Sequence, residues 1–251
     1  MKLIIDAETW LYMYAMSCIY SGEWKDHTNP DDPGTNTWMH FFRLSEAQEL
    51  FRAAVASMQI MCPEHEPVLA FGSRTNFRYS IYKDYKSNRR KTIKPAGYAE
   101  ALIPWAQETW QSVRLDGVEA DDVCGIICEP DDVIASRDKD LVTVPGWHLK
   151  GDEVSHVSEQ QADHAFYMQC LTGDSTDGYP GIKGVGPKKA QAILDTCKHP
   201  SQWWKAVETA YSAAGHDLDY AITQARCARI LRAGEYDHEN KRPHLWEPVP
   251  F

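Results

Sequence analysis

Acidic residues recur in short groups along this 251-residue chain, and their positions suggest a site for divalent cations. Most of these acids follow an apolar run or occupy a tight turn, where folding would bring like charges together. Bound cations make such a cluster tolerable, and hard divalent ions prefer carboxylate oxygens. We therefore expect a metal site formed by Asp6, Glu119, Asp121, Asp122, Asp138, Asp140, Asp174 and Asp177, with Glu8 as a weaker addition beside Asp6.

The spacing within two of these groups indicates how the carboxylates are arranged. Asp138 and Asp140, two residues apart in SRDKDL, would share one side of an extended segment. In VEADDV, Glu119 and Asp122 share a helical face whereas Asp121 points away. On a regular helix, therefore, at most two of these three carboxylates can contact the same ion directly. The alternative explanation for Asp138 and Asp140 is an ordinary pair of surface residues. The alternative for VEADDV is that acids are favoured at a helix start by the helix dipole.

Charge is segregated along the chain, although the overall balance is acidic. The sequence has 26 basic and 36 acidic residues, a net charge of −10, which alone argues against a nucleic-acid partner. Residues 74–94 nevertheless contain eight basic side chains and one acid, whereas residues 116–140 contain nine acids and two basic side chains. One patch that holds cations and another that holds phosphates would explain the separation, and two solvated faces are the plain alternative.

The segment YKDYKSNRRK combines positive charge with aromatic rings. Read as a helix, it places Lys83, Lys86 and Arg90 on one stripe. Arg89 follows three residues after Lys86, and Tyr85 lies among the cations. Aromatic faces on which bases stack, flanked by cations that follow the backbone, suit single-stranded nucleic acid. A solvated basic helix would give the same pattern.

The segment LTGDSTDGYPGIKGVGPKKA predicts a tight turn followed by a helix. Gly184 and Gly186 permit close approach of the backbone, and Pro187 suits the first helical position. The free N–H groups of a helix start, together with Lys188 and Lys189, would bind a phosphate backbone without reading its sequence. A plain helix–loop–helix connector accounts for the glycines, but not for glycines, lysines and the upstream aspartates together.

Strands alternate with helices in the first part of the chain. Short apolar runs predict buried strands at 3–5, 67–71 and 133–135. Continuous apolar strands separated by helices predict an α/β fold, with a parallel twisted sheet flanked by helices. Ligands bind at the carboxyl ends of such strands, where Asp6 and the pair Asp138 and Asp140 fall.

We divide the chain into two predicted regions. Residues 1–150 form an α/β core with a basic helical arch at about 74–110, and residues 151–251 form a helical region. Within the core, the Gly-, Pro- and Asn-rich stretch 21–37 predicts a loop. Seven cysteines without a CxxC pair indicate reduced residues of a cytoplasmic protein, and no stretch approaches the length of a membrane span.

Taken in order, these motifs resemble the 5′-nuclease family, the flap endonuclease and 5′–3′ exonuclease group, and above all its small phage-encoded members. The resemblance runs from Asp6 to about Leu194 through FRYSIYKDYKSNR, VEADD, SRDKDL and GDSTDGYPGIKGVGPKKA. It implies a PIN-like core and a helix–three-turn–helix at about 171–195 that grips duplex DNA, often with a bound K⁺. It also implies a two-metal phosphodiesterase that uses Mg²⁺, with Mn²⁺ as a substitute.

The resemblance further implies roles for individual residues. One ion would be held by Asp6, Glu119, Asp121 and Asp138, and the other by Asp140, Asp174 and Asp177. Lys86 and Arg89 would hold the scissile phosphate and stabilise charge in the transition state. Tyr12 would stack on a base near the cut, with core packing as its alternative. The full set of expected DNA contacts is Tyr12, Lys83, Tyr85, Arg90, Gly184, Gly186, Lys188 and Lys189.

Two positions depart from the family pattern. Gly72 stands where relatives have an Asp after the second strand, which removes one metal ligand. Ala7 replaces a glycine after Asp6, a smaller change.

The activity implied is hydrolysis of DNA at or near 5′ ends, nicks or flaps, RNA/DNA hybrids included, by a monomer in replication or DNA degradation. The products would carry 5′-phosphates. A non-catalytic DNA-structure binder and a PIN-type ribonuclease are the alternatives, and Lys188 with Lys189 argues against the latter. The tail WEPVPF would either dock a replication protein or form a packed or frayed end.

Overall fold

The computed structural model describes residues 1–25, 36–88 and 96–248, without the side chains of residues 23–25, 36–39 and 96. The strands are β1 (Lys2–Asp6), β2 (Ile19–Lys25), β3 (Asn36–Phe42), β4 (Glu66–Phe71), β5 (Gln111–Arg114), β6 (Val133–Ala135), β7 (Gly146–Lys150), β8 (Glu153–Val157), β9 (Tyr236–Asp237) and β10 (Arg242–Pro243). The helices are α1 (Ala7–Ser17), α2 (Leu44–Met61), α3 (Arg78–Ile81), α4 (Ala96–Thr109), α5 (Ala120–Ile127), α6 (Glu159–Thr172), α7 (Pro187–Leu194), α8 (Trp203–Ala213) and α9 (Leu218–Ala228).

A six-stranded sheet in the order β5-β4-β1-β6-β7-β8 forms the centre of the fold. The first five strands in this order run parallel, and β8 pairs antiparallel to β7. Side chains of β1 alternate between the two faces, as successive residues of a strand must. Leu3 and Ile5 pack with α1, α2 and α4, whereas Ile4 packs with α5 on the other face. The predicted α/β fold with a largely parallel, helix-flanked sheet is confirmed.

Helices α6 to α9 form a second hydrophobic core in the C-terminal part of the chain. Phe166, Val207, Tyr211 and Ala225 are among its buried members. The prediction of a helical C-terminal region is therefore confirmed. Strand β8 extends the sheet to Val157, beyond the predicted division at residue 150. The division into two regions stays a prediction.

Two sequence predictions are wrong in the N-terminal half. The stretch 21–37, predicted as a loop, contains parts of β2 and β3, which pair as an antiparallel ribbon; residues 26–35 lie outside the described residues. The basic segment is not a continuous helix. Its helix α3 ends at Ile81, residues 83–88 form turns, and residues 89–95 lie outside the described residues. Lys86 has φ +54°, which no α-helix permits.

The described part of the C-terminal tail is packed. The Trp246 ring lies 5.3 Å from Phe166 and 4.9 Å from Trp204, measured between centroids. Arg226 Nε donates to the Trp246 carbonyl at 3.1 Å and pairs with Glu247. This favours a packed end over a docking motif for the tail, although residues 249–251 lie outside the described residues.

All seven cysteines are free and six of them are buried, as expected for reduced core residues. In the described part of the chain, no helix combines the length and the apolar character needed to cross a bilayer.

Candidate active site

The carboxyl ends of β1 and β6 bring the first aspartates together. Asp6, only 4% exposed, ends β1, and its Oδ2 accepts hydrogen bonds from Thr9 Oγ1 and Ser136 Oγ, both at 2.9 Å. Ser136 Oγ also accepts the N–H of Asp138 at 3.0 Å, so one serine joins the two strand ends. Burial raises the pKa of Asp6, and the negative charge of Asp138 adds to this effect.

Asp140 lies on the short 3₁₀ helix Lys139–Thr143 that follows β6, and Asp138 is the residue immediately before it. The Asp138 carboxylate caps this turn by accepting the N–H of Asp140 at 2.9 Å. Asp140 Oδ1 in turn accepts Gln169 Nε2 from α6 at 2.6 Å. Burial, with the charge of Asp138, raises the pKa of Asp140 to about 6.

The loop between α6 and α7 carries the next two acids. Asp174 Oδ1 accepts the N–H groups of Thr176 at 2.6 Å and of Asp177 at 3.2 Å, which fixes a tight turn. The loop is closed by Gly173 and Gly181, both with positive φ. A Cβ on Gly173 would lie 2.4 Å from the Gly181 nitrogen, so no side chain fits at this crossing.

Tyr85 and Lys86 connect this loop to the start of α5. The Tyr85 hydroxyl lies 2.8 Å from Glu119 Oε2 and 2.9 Å from Asp177 Oδ2, and its single proton is shared between them. Lys86 Nζ contacts Glu119 and lies 3.7 Å from Asp177 Oδ2. The left-handed conformation of Lys86 lets its N–H donate to the Asp177 carbonyl at 2.6 Å. Burial works against the charged form of Glu119, but the cations Arg78 and Lys86 outweigh it and lower the pKa.

Asp121 and Asp122, adjacent in sequence, have opposite surroundings. The Asp122 carboxylate is fully buried and accepts both Nη groups of Arg78, at 2.6 and 2.8 Å. It also accepts the backbone N–H groups of Glu119 and Leu231, at 3.1 and 3.0 Å. Asp121 instead lines a cavity among the other acids, where burial and the charges of Asp122 and Glu119 raise its pKa well above the ordinary value.

This arrangement reverses the expectation drawn from helical spacing. Helical spacing holds only within a regular helix, whereas Glu119 is the N-cap of α5, with extended backbone at φ −88° and ψ 170°. Asp122, predicted as a metal ligand, has its carboxylate occupied by Arg78 and two backbone donors. We therefore leave it out of the proposed ligand set.

Five of the remaining acids line one small cavity. Its volume is about 180 Å³, and its lining includes Lys86 with Asp121, Asp138, Asp140, Asp174 and Asp177. Within the described residues, no three carboxylate, histidine or cysteine side chains are close enough to hold an ion as they stand. The available donors are nevertheless all carboxylate oxygens, the set that hard divalent cations prefer, and a cation would relieve their repulsion.

The expected DNA contacts in the basic segment differ in their exposure to solvent. Tyr85 is only 3% exposed and its ring stacks against Tyr179 at 6.4 Å, so the prediction that it stacks on a base is wrong. Lys83 is exposed. Arg89 and Arg90 lie outside the described residues.

Tyr12 lies on α1 beside a second, more open cavity. Its side chain is 37% exposed, and the cavity, about 790 Å³, is also lined by Gly72 and Arg114. An exposed ring at this place is compatible with base stacking and argues against core packing. The stacking role stays a prediction.

The glycine turn precedes a helix that starts where the sequence predicted. Gly184 has φ +80°, and Gly186 is the N-cap of α7, which begins at Pro187. Lys188 and Lys189 are both exposed. Lys189 Nζ donates to the Gly184 carbonyl at 2.9 Å, so one ammonium already lies on the turn.

The sequence did not predict three residues of this region as site residues, and it predicted a fourth, Glu8, only as a weaker addition. Arg78 belongs to the recognised FRYS motif, but nothing local indicated its buried partner. Ser136 and Gln169 carry no sequence signal for their bonds to Asp6 and Asp140. Glu8 accepts the N–H of Gly72 at 2.9 Å, across 64 residues of sequence.

Comparison with known proteins places the chain among nucleases, although no family model matches it. It is 28% identical to the exodeoxyribonuclease of Enterobacteria phage T3, over 98% of this chain and 92% of that protein. It is 27% identical to the exonuclease of Escherichia phage T7, over 98% of this chain and 93% of that protein.

Solved structures share the fold. A T5 5′-exonuclease with bound zinc ions matches with a TM-score of 0.58 at 14% identity, covering 90% of this chain and 93% of that one. The catalytic core of Rad2 in complex with a DNA substrate matches with a TM-score of 0.51 at 12% identity, covering 98% and 82%. At such identities the likeness establishes the fold alone.

Proposed function

We infer that this chain, a relative of the phage exonucleases and flap endonucleases of the 5′-nuclease family, is a metal-dependent 5′-nuclease. It hydrolyses DNA phosphodiester bonds at or near 5′ ends or flaps and leaves 5′-phosphates. One observation carries the proposal. Carboxylates from three separate segments line one cavity at the carboxyl edge of a parallel sheet, beside a lysine held in a left-handed conformation, and Ser136 joins Asp6 of a fourth segment to Asp138. Strained backbone at an acid cluster is typical of a functional site.

The ligands fall into two groups by their place in the fold. Asp6, Glu119, Asp121 and Asp138, at the ends of β1 and β6 and the start of α5, would hold one ion. Asp140, Asp174 and Asp177, at the junction with the helical region, would hold the other. We propose Mg²⁺ at both places, because every donor is a carboxylate oxygen, and Mn²⁺ as a substitute. When bound, such ions lower the pKa of water and stabilise the leaving oxygen.

Lys86 supplies the main positive charge among these acids. Its ammonium contacts Glu119, from which it would turn towards the scissile phosphate. There it would stabilise the charge that develops in the transition state, and Arg89, matched by motif, would assist. The bond from the Lys86 N–H to the Asp177 carbonyl fixes the base of this side chain on the loop that carries the second ligand group. Tyr85 acts as a positioning residue for Glu119 and Asp177, not as a DNA contact.

The glycine turn and the start of α7 would hold the duplex beside the cut. Exposed Lys188 and Lys189, next to the free N–H groups of the helix start, suit contacts with a phosphate backbone. Lys83, Gly184, Gly186 and Tyr12 complete the proposed DNA-contact surface on the described residues, and Arg90 extends it by motif. A K⁺ at the turn would compete with Lys189 Nζ, which already donates to the Gly184 carbonyl.

Substrate preference and biological setting are also proposals. We propose that the substrate is duplex DNA with a 5′ end, nick or flap, and that the protein acts as a monomer in the cytoplasm of a host cell. A role for the tail in docking a replication protein is not part of the proposal, because Trp246 is packed against Phe166 and Trp204.

A cleavage assay tests the proposed function. The purified protein is incubated with Mg²⁺ and 5′-labelled flap, nicked, blunt and single-stranded DNA, and separately with RNA, with EDTA as the control. We expect Mg²⁺-dependent cleavage near the 5′ end of the duplex or flap substrates. Binding without cleavage would support a DNA-structure binder instead, and cleavage of RNA alone would support a ribonuclease.

A further inference from the structure

Three neighbouring parallel strands end at the edge of the sheet where the acids gather. β1 ends with Asp6, and β6 is followed by Asp138. β4, which pairs with β1 in register from Lys2 to Asp6, is followed by Gly72, which has no side chain. One of the three strand ends therefore contributes no group of its own to the site.

The first turn of α1 supplies a carboxylate at this place. Glu8 Oε1 accepts the N–H of Gly72 at 2.9 Å. The acid thus lies on the end of β4, although it belongs to the helix that follows β1. Holding one carboxylate oxygen on a backbone N–H orients the other oxygen and restricts the side chain.

Gly72 also explains why the carboxylate comes from another segment. A Cβ on residue 72 would lie 3.0 Å from the Ala120 nitrogen and 3.3 Å from Glu119 Cα. The backbone of residue 72 therefore touches the start of α5, and a side chain there would push Glu119 away. Glu8, bonded to this same residue, lines the more open cavity beside Tyr12. Burial, with the charges of Asp6 and Glu119, raises the pKa of its carboxyl, so it lies within electrostatic reach of two ligands assigned above to one ion.

We infer that Glu8 is a further ligand of the divalent ion held by Asp6 and Glu119, and that it serves the strand end at which Gly72 has no side chain. The inference rests on the proposed function. The plain alternative is that Glu8 only ties α1 to β4 through the Gly72 N–H.

Substitution by glutamine separates these two roles. Glu8→Gln keeps an oxygen that can accept the Gly72 N–H but removes the negative charge. Binding of Mn²⁺ to the full chain, measured from the electron paramagnetic resonance signal of free Mn²⁺, should weaken about tenfold or more, because losing even an outer partner of a metal ligand typically costs 10–100-fold. The unfolding temperature in EDTA should stay near that of the wild type. Glu49→Gln, on an exposed acid of α2, is the matched control and should bind as the wild type does.

The Mn²⁺ affinities of Glu8→Gln, Glu8→Asp and the wild type together distinguish a metal ligand from a structural tie. Unchanged Mn²⁺ affinity in Glu8→Gln would overturn the inference and leave Glu8 as a structural tie. If Glu8→Gln lowers the unfolding temperature, titration is carried out at a temperature where both proteins are folded, and Glu8→Asp, which keeps the charge on a shorter side chain, should recover part of the affinity. Failure of the wild type to bind Mn²⁺ or cleave DNA would instead overturn the proposed function.

Discussion

The molecule contains two groups in which a basic side chain meets acids, and they differ in how completely their charges are satisfied. Arg78 and Asp122 form a buried pair in which both Nη groups and two backbone N–H groups reach one carboxylate. Lys86, in contrast, faces Glu119 and Asp177 while further acids line the same cavity. The Asp122 carboxylate has no capacity left for a ligand, although Arg78 also reaches Glu119 Oε2 at 3.5 Å, whereas the acids around Lys86 carry an excess of negative charge. Unpaired negative charge is expected of a functional site that binds cations, and fully paired charge is expected of a structural ion pair.

The strongest test of the functional group is removal of a carboxylate from its centre. Asp138→Asn should lower the single-turnover cleavage rate by more than about 100-fold, the upper end of the loss on removing an outer partner of a metal ligand. Binding of DNA should persist or tighten, because repulsion of phosphate falls. The unfolding temperature in EDTA should not drop. Asp152→Asn, in the exposed β7–β8 turn, is the control, and wild-type turnover in Asp138→Asn would remove Asp138 from the site.

The structural group should respond in the opposite way. Asp122→Asn removes the main counterion of the buried Arg78 guanidinium, which keeps only Glu119 Oε2 at 3.5 Å, and breaking a buried pair from one side typically costs about 3–5 kcal/mol. We expect urea unfolding to show a loss of this size in the free energy of unfolding. The folded fraction should still cleave DNA. Catalysis lost without a loss of stability would mean that Asp122 belongs with the metal ligands.

Lys86 sharpens the comparison because it is both counterion and catalytic group. Lys86→Met should lower the single-turnover rate roughly 100-fold, as for other groups that stabilise transition-state charge, with a small change in DNA affinity. Without DNA, the variant should bind Mn²⁺ more tightly than the wild type, because the ammonium no longer competes for Glu119. Lys150→Met, on an exposed cation at the end of β7 outside the proposed site, is the control and should change neither property. Weaker Mn²⁺ binding by Lys86→Met would refute this competition.

A smaller effect should appear in the pH dependence of stability. Burial and the charge of Asp138 raise the pKa of Asp140 in the folded protein from 3.8 to about 6. The folded state therefore binds this proton more tightly, and the stability it contributes is full below about pH 4 and lost as the pH rises through 6. In EDTA at pH 7.5, Asp140→Asn should be more stable than the wild type by about 1 kcal/mol, because solvent screens part of the shift of this partly exposed group, and the two should converge near pH 4. A constant difference across this range would contradict the raised pKa.

The elements that could be predicted are those whose residues are buried on both sides. β1, β4 and β6 are nearly continuous apolar runs, and each lies inside the sheet. β5 and β8 are edge strands with largely exposed residues, and β7 next to β8 has one buried residue, so they lack this signal. The same reasoning found the aspartates at the strand ends, because their position follows from the strands.

The errors arose where a distant partner decided the local structure. The basic residues after α3 have helical spacing, but the Lys86 N–H bonds to the Asp177 carbonyl and the segment turns instead. Asp122 is drawn out of the acid cluster by Arg78, 44 residues earlier, which no local pattern reveals. The Glu8 contact with Gly72 likewise depends on the pairing of β1 with β4.

The adjacent acids Asp121 and Asp122 provide the most direct test, because the account assigns them opposite roles. Mn²⁺ binding and urea unfolding are measured for Asp121→Asn and Asp122→Asn under identical conditions. We expect Asp121→Asn to bind Mn²⁺ at least tenfold more weakly without losing stability, as expected for a metal-site carboxylate. Asp122→Asn should lose stability but bind Mn²⁺ normally while folded. Equal effects of the two substitutions on Mn²⁺ binding would contradict the division between a structural and a functional group.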